Sequence, residues 1–131
     1  MGANAFQATV EWQGSIEATF TAQQTRLVQS AARSGGFAEF YQVDPSGTRF
    51  LETVWGLSST PAEGFSAPLS DDRLTQAFRH THPTPEDLQA DHPAFDAVMQ
   101  ELEARGLCFH FVLYDQQQDP VGVYFFGWSL N

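Results

Sequence analysis

Residues 6–12 alternate strictly, with Phe6, Ala8, Val10 and Trp12 on one side and Gln7, Thr9 and Glu11 on the other. A period of two sends successive side chains to opposite faces, so this segment predicts a strand with one face buried and one wet. Ile16, Ala18 and Phe20 repeat the pattern against Glu17 and Thr19, and Gln13-Gly14-Ser15 between the two runs predicts a hairpin turn. Thr21 and Gln24 then have the spacing of a capping box, and Leu27, Val28 and Ala31 follow at helical spacing. Gly35-Gly36 tolerates the left-handed conformation that stops a helix, so a helix is expected over residues 22–34.

Residues 37–43 are rich in aromatics, Asp44-Pro45-Ser46-Gly47 has turn chemistry, and residues 49–55 offer a return strand. A second hairpin is expected there. Between Gly56 and Ser70 the chain turns to Ser, Pro and Gly and reads as a long loop anchored by Phe65 and Leu69. Ser70 is placed to cap a short helix through Leu74, Ala77 and Phe78, with Asp71 and Asp72 suiting the positive end of its dipole. Thr84-Pro85-Glu86-Asp87 is a further helix start. The strongest helix is expected over residues 93–105, where Phe95, Val98, Met99 and Leu102 form an apolar stripe and Asp96, Gln100 and Glu103 point away. Glu101 and Arg105 have the i,i+4 spacing of an ion pair, and Gly106 ends the helix. Residues 107–114 and 121–128 are apolar on both faces, which predicts a hairpin covered on both sides or an interface.

The order of elements is therefore ββαββ, a loop, then ααββ. The expected fold is a single α+β domain over residues 1–131. Its sheet, antiparallel or mixed, would have about six strands with helices mainly on one face.

Composition supports a closed core: 42% of residues are hydrophobic and 14% aromatic, including twelve Phe. Charge changes the picture more. The net charge is −10, there is no Lys, and Arg26, Arg33, Arg49, Arg73, Arg79 and Arg105 are scattered. Binding to nucleic acid or to anionic lipid needs a basic patch, so neither is expected. The field of such a chain favours basic partners or cations. From Glu63 to Glu103 nine carboxylates face only Arg73 and Arg79, which places most of the net charge in one helical segment. Cys108 is the only cysteine, so no intrachain disulfide forms, in keeping with a reducing compartment. Met1–Phe6 lacks the basic and apolar regions of a signal peptide, and no apolar run is long enough to span a bilayer. The expected location is the cytoplasm.

Candidate chemistry is sparse. His80, His82, Glu86, Asp87, Asp91 and His92 are types that ligate divalent metals, although Glu86 and Asp87 also serve as helix-start residues and Asp91 as a cap. Cys108 and His110 lie two apart on a strand and share a face, as a thiolate and its activating imidazole would, or as two core residues would. Glu39 and Glu52 would face each other if residues 37–55 formed a hairpin. Tyr124-Phe125-Phe126-Gly127-Trp128 suits a core or an anchor for a partner. No G-x-S-x-G, G-x-G-x-x-G, Walker A or H-E-x-x-H motif is present, so neither catalysis nor a cofactor is expected.

The function these features favour is a small acidic protein-interaction domain: an inhibitor, immunity-type or adaptor protein that meets a basic surface. Asp71, Asp72, Glu86, Asp87, Asp96, Glu103 and Trp128 are its expected contacts. The C-terminal hairpin is a candidate homodimer surface. The alternative is a small-ligand or divalent-metal-binding domain that uses His80, His82 and His92.

Overall fold

A computed structural model describes residues 4–90 and 92–130 of the chain. Its first strand, β1 (Ala5–Glu11), is the one the alternation predicts. The next element is a helix rather than a return strand. α1 (Ile16–Ser34) begins where Ser15 Oγ accepts the amide of Ala18, six residues before the expected cap at Thr21. Ile16, Phe20, Gln23, Leu27 and Ala31 recur at three- and four-residue steps and turn one stripe to the core. Over five residues a strand and a helix both fit Ile16-Ala18-Phe20, and only the longer window separates them. Gly35 ends α1 at φ 101°, in the left-handed region that favours glycine.

The second expected hairpin is also helical. It comprises α2 (Phe37–Val43) and α3 (Pro45–Thr53). Asp44 accepts the amide of Gly47 and Pro45 takes the first position of α3, so the residues that resemble a turn start a helix instead. Glu39 and Glu52 accordingly lie on separate helices and not across a strand pair. The stretch read as loop contains two short strands, β2 (Gly56–Leu57) and β3 (Phe65–Pro68).

The second half matches expectation closely. α4 (Asp71–Phe78) is capped by Ser70, and α5 (Pro85–Gln89) starts with a complete capping box between Thr84 and Asp87. α6 spans Pro93–Leu102, stopping short of the expected end at residue 105, and β4 (Cys108–Tyr114) pairs antiparallel with β5 (Pro120–Trp128). Glu101 pairs with Arg73 of α4, tying α4 to α6 rather than staying within its own helix.

The class is α+β. Among the described residues there are five strands, in the order β1-β5-β4-β3-β2, rather than about six. β5 pairs antiparallel with both β1 and β4, whereas β4-β3 and β3-β2 are parallel, so the sheet is mixed. Helices cover both faces of this sheet instead of mainly one. Phe109, Phe111, Leu113, Tyr124, Phe126 and Trp128 pack under α4 and α6. Cys108, Val123, Phe125 and Phe6 pack under α1, α2 and α3. A hairpin apolar on both faces requires this arrangement, because each face must be removed from water. β5 is paired on both edges, by β1 and β4, so the C-terminal hairpin forms the middle of the sheet. No helix among the described residues is long and apolar enough to cross a membrane.

Candidate functional site

A cleft of about 520 Å³ lies between α6 and the start of β1. Phe126, Gly127 and Trp128 of β5 contribute to its apolar side. Asp96 and Gln100 on the solvent-facing side of α6, the half-buried Met99, and Glu103 just past the last turn of α6 line it opposite β1. Ala5–Gln7 and Ser46 complete it. Among the described residues of this lining, two are carboxylates and none is Arg or His. Trp128 is only 5% exposed and meets Phe126 edge to face at 6.0 Å, so it is a fixed wall rather than a protruding anchor.

Gln7 joins this cleft to the core. Its side-chain oxygen accepts a hydrogen bond from the Tyr124 hydroxyl. Burial, and next the negative charge of Asp96, push the Tyr124 pKa up to about 12, which keeps the hydroxyl protonated as the donor. On the outer side of Gln7, Ser46 Oγ accepts from its amide at 3.2 Å and donates to its carbonyl at 3.0 Å. Gln7 and Ser46 are thirty-nine positions apart, so no spacing in the sequence brings them together.

Of the seven expected partner contacts, Asp96, Glu103 and Trp128 converge on the cleft. Asp71 and Asp72 lie in the first turn of α4, and Glu86 and Asp87 in that of α5. None of these four lines the cleft. Asp87 is occupied locally, accepting the Thr84 amide at 2.9 Å and lying 3.1 Å from His80 Nε2.

The three histidines of the expected metal set take up separate contacts. His80 faces Asp87, whereas the His82 ring lies 4.3 Å from the Tyr114 ring. The His92 ring meets Phe78 edge to face at 5.5 Å, and its buried Nε2 has no hydrogen-bond partner among the described residues. Asp91 lies outside the described residues. Among those described, no three His, Cys, Asp or Glu side chains are grouped to hold a metal ion.

Cys108 and His110 share a face, as their spacing predicts, and Ser66 of β3 joins them. Ser66 Oγ lies 2.8 Å from His110 Nδ1, and all three residues are buried. Burial pushes the Cys108 thiol up to about 12, against the smaller opposing effects of hydrogen bonds from Ser66 and the Phe126 backbone. Burial lowers His110 to about 4, with Glu17 acting weakly the other way. A nucleophilic cysteine needs a depressed pKa and access, and this one has neither. The trio is a satisfied polar patch within the core.

Comparison of the chain with protein-family models, with curated proteins and with solved structures finds no match.

Proposed function

We propose that this chain is a protein-interaction domain, acting as an inhibitor, immunity-type or adaptor protein, whose α6–β1 cleft receives a basic side chain of its partner. The observation that carries this reading is the convergence of Asp96, Glu103 and Trp128 on one concavity with no Arg or His among its described lining residues. An arginine entering there would lay its aliphatic stem against Met99 and Phe126 and bring its guanidinium to carboxylates able to bind it through paired hydrogen bonds. A net charge of −10 without a single Lys adds a long-range field of the same sign, which accelerates encounter with a basic surface.

Paired affinity capture tests the reading, with the wild-type chain and the Asp96→Asn/Glu103→Gln variant immobilised side by side. The expected result is a basic protein retained by the wild type and lost from the variant. Its association rate should fall at least tenfold between about 20 and about 200 mM salt. A partner held equally by both proteins, at a rate indifferent to salt, would refute the assignment.

A further inference from the structure

The hydrogen-bond phase of β1 leaves one row of backbone groups facing outward. Ser129 donates its amide to the Asn4 carbonyl at 2.8 Å and Trp12 donates to Val121 at 3.1 Å. In an antiparallel pair such bonds recur at every second residue, so Phe6, Ala8 and Val10 bond β5 while Ala5, Gln7, Thr9 and Glu11 turn their amides and carbonyls away from the sheet. Gln7 is bridged by Ser46 Oγ, and the Glu11 carbonyl accepts from Gln13 Nε2 at 3.2 Å. The amide and carbonyl of Thr9 have no partner among the described residues.

Three concavities adjoin this edge, with Ser46 of α3 standing on Gln7 between the first and the second. The cleft of about 520 Å³ adjoins residues 5–7, a concavity of about 200 Å³ adjoins residues 7–9, and one of about 290 Å³ adjoins residues 9–11. Successive concavities share Gln7 and then Thr9, so together they run along the strand. Their charges differ by side. Asp96 and Glu103 stand on the α6 side at the first, whereas Arg26 of α1 lines the second and third, with Asp44 and Glu11 also present there.

We propose that the partner enters as an extended segment that adds to the sheet along the outer edge of β1, its alternate basic side chains directed to Asp96 and Glu103. This rests on the reading of the cleft given above and adds the mode of binding. Strand addition takes its affinity from main-chain bonds and its specificity from pockets for alternate side chains, and this edge has both. A residue opposite Gln7 would make the same two bonds that Ser46 Oγ makes, so Ser46 is the group it displaces. Charge excludes a second copy of this chain as the favoured occupant: an incoming β1 would bring Glu11 and a net charge of −10 to an edge already rimmed by carboxylates. The segment's opposite side meets Arg26 and Gln23 and so takes polar or acidic residues.

The probe is the peptide Ac-(Arg-Thr)4-NH2, titrated into the full-length protein with amide hydrogen exchange read residue by residue. Thr9 is the reporter. Its amide should exchange rapidly in the free protein and at least tenfold more slowly in the complex. Thr9→Pro removes an N–H that β5 does not use, at an edge position that accepts proline, and should weaken the peptide at least tenfold with the fold intact. Ser46→Ala, which opens the Gln7 groups, should tighten it severalfold. Binding that Asp96→Asn/Glu103→Gln abolishes, but that neither slows Thr9 exchange nor responds to Thr9→Pro, would overturn strand addition and leave the cleft reading standing. Absence of binding to the wild-type protein at millimolar peptide overturns both.

Discussion

Ser66 Oγ and His110 Nδ1 lie 2.8 Å apart between neighbouring parallel strands, in a part of the core where neither side chain reaches water. An imidazole held there stays neutral, because its charged form would have to be desolvated. Its pKa is lowered to about 4, against an ordinary value near 6.5. In that interval the unfolded chain binds a proton that the folded chain does not. Stability is therefore whole above about pH 6.5 and falls as the pH drops toward 4, by up to about 3 kcal/mol. Urea denaturation across this range checks the slope. His110→Asn keeps a polar partner for Ser66 without the titration and should flatten it.

Cys108 provides a second readout of the same region. With its thiol pushed up to about 12 and its surface 1% exposed, it should resist a disulfide thiol reagent at pH 8 in the native protein and react at once in denaturant. Rapid labelling under native conditions would place it outside the core.

Gly127 of β5 pairs with Phe6 of β1 on one side and Cys108 of β4 on the other. A Cβ there would come within 2.5 Å of the Leu107 carbonyl oxygen and 2.9 Å of the Phe6 ring. Backbone cannot move aside as a side chain can, so Gly127→Ala should destabilise the fold by about 2–4 kcal/mol. Thermal denaturation measures this directly, and an unchanged midpoint would mean that the β1-β5-β4 register is different.

Asp44 decides between the two readings of residues 37–55. As the cap of α3 it accepts the Gly47 amide at 2.9 Å, and its loss in Asp44→Ala should cost about 1 kcal/mol together with some helical circular dichroism. A hairpin turn at the same place would lose no helical signal.

The contrast between the halves of the chain shows what the sequence can express locally. Ser70 and Thr84 each precede short helices with acidic first turns, and residues 107–128 are apolar on both faces, so α4, α5 and the central hairpin are legible from neighbours alone. The segment from Ile16 to Val54 is ambiguous at short range. Gly47, Phe50, Leu51 and Val54 do have helical spacing, but aromatic content and an Asp-Pro-Ser-Gly stretch point equally to strands. Packing settles it: on α3, Phe50 meets Phe6, Phe20 and Phe125 at centroid distances of 5.5–5.9 Å. The carboxylates of α6 are readable from periodicity. Their meeting with Gln7 and Ser46 is not, since that depends on β1 pairing with β5 at the far end of the chain.

The most direct test of the cleft is a chemical-shift titration of the isotope-labelled protein with Ac-(Arg-Thr)4-NH2 at low and high salt. If the cleft receives the basic side chains, amide shifts gather at residues 5–11 and 96–103, weaken as salt rises, and vanish in Asp96→Asn/Glu103→Gln. Shifts centred instead on Asp71, Asp72, Glu86 and Asp87, with the cleft silent, would contradict it.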